Sequence, residues 1–230
     1  MPETGGFIPW GPDHRGVVAL TALAAAACIA GRARLRGVDD RVGRRVLAAG
    51  LAANEITGWG VALSQGRLQL PLQLCDLALI AVVVALLTTH RPAAELAYFW
   101  GLAGSLQAIL TPDLRQPFPS YWWIQFFLSH CGVVLCAVYL AVTGRVQPTH
   151  GSVWRMFGWT NLYAGIVGLI NWRFEANFGY LAHKPMQPSL LDALGPWPYY
   201  IGGMELIALA SLYLYYAPFV LARWAGQRMP

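Results

Sequence analysis

The chain has 230 residues, 57% of them hydrophobic and only 12% charged, roughly half the charged share of an ordinary soluble domain. Its charges cluster between apolar stretches of near-membrane length, which a water-soluble core could not use and a bilayer can. The net charge of +5 does not point to nucleic acid, because the basic residues stand at the ends of apolar runs and form no continuous basic face for phosphate.

The stretch before Gly16 contains Pro2, Glu3, Pro9, Pro12 and Asp13 and lacks the positive n-region of a cleavable signal peptide, so the first apolar helix is expected to be retained. A spanning helix needs about 20 apolar residues. Seven segments meet or approach that length: 16–31, 45–65, 70–89, 93–112, 121–143, 153–171 and 197–223. Brief loops join the second to the fifth, which predicts antiparallel hairpins. No soluble domain, low-complexity tract or internal repeat interrupts the pattern. The expected fold is therefore all-α: a polytopic membrane protein, one transmembrane helical domain over residues 1–230, built as a seven-transmembrane-helix bundle.

Arginine and lysine set the expected orientation. With alternating helices, one face receives Arg32, Arg34, Arg36, Arg41, Arg44, Arg45, Arg91, Arg145, Arg155, Arg223 and Arg228; the other receives Arg15, Arg67, Arg115, Arg173 and Lys184. Positive charge is retained on the cytoplasmic side during insertion, so the arginine-rich face is expected inside, with the N-terminus out and the C-terminus in. The expected location is the inner (plasma) membrane, multi-pass. The outer face then carries two loops punctuated by proline, Thr111–Ser120 and the long Arg173–Pro196. A connection of that length is more often functional than idle, and it is expected to fold over the outer mouth of the bundle. Trp10, Trp122, Trp123, Trp197, Tyr199 and Tyr200 fall at the outer boundary, where an aromatic belt is their commonest role.

Polar residues inside a bilayer are costly, so each needs a reason. Here they are Asn54 and Glu55, then Gln73, Cys75 and Asp76, followed by Gln107, His130, Asn161, Asn171 and Glu205. Several lie near outer helix ends and suggest a polar cavity opening outward. Within it Cys75 and His130 form the most informative pair. At about 1.5 Å rise per residue, Cys75 lies roughly 8 Å below Leu70 and His130 roughly 14 Å below Tyr121, a difference of about one turn. A histidine that takes the thiol proton leaves a thiolate able to attack an ester and hold the acyl group as a thioester. Alone, a cysteine in an apolar helix is a small packing residue, and Cys28, Cys131 and Cys136 are read that way. The cysteine spacings support neither a disulfide framework nor a zinc cluster, and no cofactor is expected. Lys184 is the sole lysine and lies in a loop, which excludes a retinal Schiff base in the last helix.

The runs LPLQLCDLA (Leu70–Ala78), ELAYFWGLAGSLQAILTPDL (Glu95–Leu114) and FPSYWWIQFFLSH (Phe118–His130), with SHCG, NFGYLAHKP and LGPWPYYI, resemble the YwaF-type bacterial integral membrane proteins. The likeness covers most of the chain from the second helix onward. Animal relatives of that family look like cysteine-dependent phospholipid acyltransferases, so the resemblance implies a nucleophile at Cys75 and a partner at His130. The family often has histidine where this chain has Gln73, whose amide could instead donate to an oxyanion. Gln73, Asn171 and Tyr180 are candidate oxyanion donors, and Asn177 and Lys184 candidate substrate contacts. The implied partners are phospholipid, lysophospholipid and the bilayer itself. The leading expectation is a membrane-embedded acyltransferase, or a lipase if water replaces the acceptor. The alternative is a small transporter or channel routed through Asn54, Glu55, Gln107, Asn161 and Glu205, although neither an inverted repeat nor matched broken helices mark it.

Overall fold

A computed structural model describes residues 6–68 and 70–226. Pro2, Glu3 and Arg228 lie outside them. The described residues form helices and loops without strands: α1 (Pro12–Ala30), α2 (Arg32–Gly37), α3 (Arg41–Ser64), α4 (Leu74–Thr88), α5 (Arg91–Trp100), a π-helical segment (Gly101–Leu106) leading into α6 (Gln107–Leu110), α7 (Tyr121–Val142), α8 (His150–Phe174) and α9 (Tyr199–Gly226). Four of these, α1, α3, α7 and α9, are long and apolar enough to cross a membrane by length and composition, while the apolar α4 is shorter.

The helix starts shift from the predicted bounds for local reasons. α1 begins at Pro12 and α5 at Arg91 because a proline at the first or second position is pre-set for helical φ. α4 begins at Leu74 and not at Leu70: Leu70 precedes Pro71 and is pushed from the helical region, and Gln73 caps the helix with Asp76 closing a reciprocal box. Cys75 therefore sits in the first turn of α4 and not a turn and a half below its start.

α7 is the hub, packing on α1, α3, α4, α5 and the π segment; half of its apolar window is buried, against 6% of the window in α9, which rests on α8 and the π segment. Small residues bring α4 and α5 together, with Ala78, Ala85, Ala94 and Ala97 fully buried. The outward faces are apolar instead of polar: Leu23, Leu169, Trp172 and Leu206 are each at least two-thirds exposed. That arrangement is stable only with hydrocarbon outside. The aromatic belt is narrower than the sequence suggests. Trp10, Trp197 and Tyr199 are exposed, but Trp123 and Tyr200 are buried, Trp123 against Phe127 and Phe118.

The arginine-rich face is tied through Asp40. Arg44 lies 3.0 Å and Arg145 2.6 Å from its carboxylate, and the Tyr139 hydroxyl donates to it. Arg44 also donates to the Leu86 carbonyl, so one side chain joins the starts and ends of α3, α4 and α7. Burial alone would raise the Asp40 pKa, but the hydrogen bonds from Tyr139 and Arg44 and the charges of both arginines outweigh it and hold the carboxyl below its ordinary value. A depressed folded value means that this contribution to stability is present above the unfolded pKa and is lost as pH falls through the folded one. Asp40→Asn should accordingly lower stability by about 1–2 kcal/mol, because two partly exposed guanidinium groups lose their counter-charge. Thermal unfolding in detergent as a function of pH checks this, with the wild-type advantage shrinking toward the acid end.

Candidate active site

The first turn of α4 is set by its own sequence. The Gln73 backbone N–H donates to Asp76 Oδ2 (2.9 Å), with Gln73 in extended conformation before the helix starts. Leu74 and Cys75 occupy the first two helical positions, so their N–H groups have no acceptor within the helix and point toward its open, positive end. Cys75 thus sits beside the open N–H end of α4 and next to the Asp76 carboxylate.

The long outer loop is docked on this turn. Gly179 N–H donates to Gln73 Oε1 (2.8 Å), and the Tyr163 hydroxyl of α8 donates to the Leu72 carbonyl (2.8 Å). Gly179 has φ of +64°, and a Cβ there would stand 2.9 Å from the Tyr163 hydroxyl, so only glycine fits. The loop is held from behind by Asn171, which donates to the Phe178 carbonyl (2.9 Å) and accepts from its N–H (2.8 Å), and by Tyr200, which donates to the Tyr180 carbonyl (2.6 Å). Asn177 organises the loop internally, accepting from the N–H groups of Ala182 and His183. Lys184 lies 3.9 Å from Asp192 and over the Tyr200 ring.

On α7, His130 Nδ1 lies 2.7 Å from the Phe126 carbonyl, and the two rings stack with centroids 4.1 Å apart. A carbonyl only accepts, so Nδ1 carries the proton and Nε2 keeps its lone pair, the tautomer a general base requires. One turn toward α3, Glu55 is buried among neutral donors: Ser129 (3.0 Å) and Gln125 (3.3 Å) donate to its carboxylate, and Asn54 donates to Ser129 (2.8 Å) and to the Gln125 carbonyl (3.1 Å).

A cavity of about 460 Å3 joins these parts. Cys75, Gln73 and Asp76 line it from α4, Glu55 from α3, His130, Ser129 and Gln125 from α7, and Gly179, Tyr180 and Ser189 from the outer loop. The structure therefore brings Cys75, His130, Gln73 and Tyr180 to one space. Asn171, Asn177 and Lys184 do not line it; they brace the loop that covers it. Asn161 and Glu205 bond to each other (3.0 Å) between α8 and α9, apart from this cavity, whereas Glu55 and Gln107 line it.

Met204, Ile207, Ala208, Ser211 and Tyr215 of α9 form another wall, and the π segment supplies Ala103, Gly104 and Ser105. Gly104 lies against the first turn of α4: a Cβ there would come within 3.9 Å of the Cys75 nitrogen. The widened turn alters the carbonyl ladder, and Leu102 accepts a bond from the Tyr215 hydroxyl of α9 (3.3 Å). Ser105 is fully buried, lines the cavity, and its hydroxyl has no hydrogen-bond partner among the described residues. Sequence reasoning passed over it, although two glycines and a serine within GLAGSL, all weak helix formers, carried a signal for such a segment.

No solved structure matches the chain. An uncharacterized protein of Treponema pallidum (strain Nichols) is 28% identical over 152 residues, a stretch covering 65% of this chain and 62% of that protein. The chain thus spans less than two-thirds of that relative's length. A family model matches residues 10–216, which reach from the start of α1 through most of α9 and include every wall of the cavity. The chain belongs to the TMEM164 family, a family of membrane proteins.

Proposed function

We propose that this protein is a membrane-embedded acyltransferase that moves a fatty acyl chain between a phospholipid and a lysophospholipid through a thioester on Cys75. The observation that carries the reading is a thiol at the open end of α4 and a histidine with Nε2 unprotonated, both facing one cavity. His130 Nε2 takes the thiol proton, and the sulfur attacks the ester carbonyl of the donor lipid. The tetrahedral oxyanion collapses, the lysolipid hydroxyl leaves with the proton returned from His130, and the acyl group remains on sulfur. An acceptor hydroxyl then repeats the sequence in reverse, His130 taking its proton and Cys75 leaving as the thiol. The Ser105 hydroxyl and the first-turn N–H groups of α4 are the donors best disposed toward the oxyanion. The Gln73 carbonyl is occupied by Gly179, so only its amide nitrogen remains to donate.

The charge of the cavity favours a lipid donor over a thioester carried by an anionic cofactor. Glu55, Asp76 and Asp113 line it and no lysine or arginine does. A zwitterionic head group with an ammonium is compatible with such walls, and a polyphosphate is not. In this reading the chain is one domain crossing the inner membrane seven times, N-terminus out, with α1, α3, α4, α5–α6, α7, α8 and α9 as the spans. The arginine asymmetry supports that orientation, and it puts the cavity near the outer leaflet. A transport route has less support, since Asn161 and Glu205 stand apart from Glu55 and Gln107.

Three substitutions test the mechanism in liposomes of defined lipid. Cys75→Ala should abolish exchange of acyl chains between labelled phospholipid and lysophospholipid, read by lipid mass spectrometry; unchanged exchange by the folded variant removes the dyad. Ser105→Ala should slow exchange on the order of 10²-fold while leaving Cys75 open to alkylation, the effect expected for one lost oxyanion donor. Gly179→Ala strains the loop that seals the cavity, so release of free fatty acid should rise relative to transfer as water reaches the thioester.

A further inference from the structure

A second cavity, of about 300 Å3, lies on the arginine-rich face, far along α7 from the first. Arg36 of α2 and Arg223 of α9 line it, over a floor of Ala141, Phe219 and Ala222. The two guanidinium groups line the cavity and are anchored on carbonyls, unlike the carboxylate-paired arginines of this face. Arg41 pairs with Asp39, Arg44 and Arg145 with Asp40, and Arg155 with Glu95. Among the described residues no carboxylate pairs with Arg36 or Arg223. Arg36 donates Nε to the Val142 carbonyl (2.7 Å) at the C-terminal end of α7, and Arg223 donates to the Pro148 carbonyl (3.1 Å) and the Tyr216 hydroxyl (2.9 Å). These bonds hold both forks in place without neutralising them. The terminal nitrogens of Arg36 keep their donors directed at no protein acceptor among the described residues.

We propose that this cavity binds the phosphate group of an anionic lipid. Two fixed guanidinium forks match phosphate oxygens in geometry and charge, better than lysines would. Phosphate binding at Arg36 and Arg223 supplies the counter-charge that the protein omits. The apolar floor of Phe219, Ala222 and Ala141 suits the glycerol and upper acyl carbons of a lipid, and the exposed flank of α9 beside it, with Val220 and Leu221, leads toward hydrocarbon. The site joins α2, the α7–α8 turn and the end of α9, an otherwise thinly packed helix, so occupancy should brace α9 against the bundle.

The full chain, purified in an uncharged detergent, is titrated with phosphatidylglycerol, with phosphatidylcholine and with inorganic phosphate, and bound lipid is read by native mass spectrometry beside the thermal midpoint. Wild type should retain phosphatidylglycerol over phosphatidylcholine and gain stability from it. Arg36→Gln/Arg223→Gln should lower that retention about thirtyfold, to the phosphatidylcholine level, consistent with two lost charge contacts. Arg32→Gln/Arg34→Gln, at arginines outside the cavity, should leave it unchanged. Inorganic phosphate that stabilises wild type and competes with the lipid assigns the same site to free phosphate as well; phosphate without effect assigns it to lipid alone. Equal retention of phosphatidylglycerol by wild type and the Arg36/Arg223 variant, or equal loss in the Arg32/Arg34 variant, overturns the proposal. If the double variant loses its helical circular dichroism signal, Arg36→Gln alone, at an exposed residue, carries the same comparison.

Discussion

Inside hydrocarbon no water is present to complete a hydrogen bond, and every interior polar group of this chain is arranged around that constraint. Helices satisfy their own backbones, so irregular backbone is tolerable only where protein or a cavity faces it. The π segment at Gly101–Leu106 meets this condition by facing the cavity, as does Gln73 at the end of the irregular stretch before α4. Their loose ends are taken by distant groups: Tyr163 covers the Leu72 carbonyl and Tyr215 the Leu102 carbonyl. The costly residues collect there too. Glu55 survives without a cation because Ser129 and Gln125 supply neutral donors, in turn positioned by Asn54.

The same arrangement underlies the proposed chemistry. A short helix starting inside the cavity opens its first N–H groups on Cys75, and a carbonyl one turn away fixes the His130 tautomer. The outer loop closes over both, anchored by a glycine whose positive φ would strain any side chain there. Ser105, like the indole N–H of Trp123, is buried without a partner among the described residues, and it is the one of the two that lines the cavity. An unpaired hydroxyl in such a place is a cost in the resting protein and a gain when an oxyanion forms beside it.

The opposite face follows a different logic. Asp40 gathers Arg44, Arg145 and Tyr139 and ties three helix ends, using opposite charge where the protein meets water and head groups. Arg36 and Arg223 use carbonyls as anchors and remain charged. One end of the bundle thus has acidic walls around the Cys75 thiol, and the other has two arginines anchored on carbonyls.

The helical segments, the apolar outer faces and the arginine asymmetry were legible in the residues themselves, as were the polar positions that the cavity gathers, Cys75 and His130 among them. Hydropathy over twenty residues, charge at helix ends and the cost of a buried imidazole are local properties that need no knowledge of neighbours. The start of α4 was also written locally, in Pro71 and the Gln73–Asp76 box, and was overlooked because apolar length ran on to Leu70. The division of labour among Gln73, Asn171, Asn177, Tyr180 and Lys184 was not local. Gln73 meets Gly179 across 106 positions of sequence, and Asn171 spends its amide on a loop carbonyl instead of the cavity. The tertiary structure decided those roles, along with the burial of Ser105 in the cavity wall and the meeting of Arg36 with Arg223, because they depend on the rotation and depth at which helices pack, and hydropathy carries no record of either.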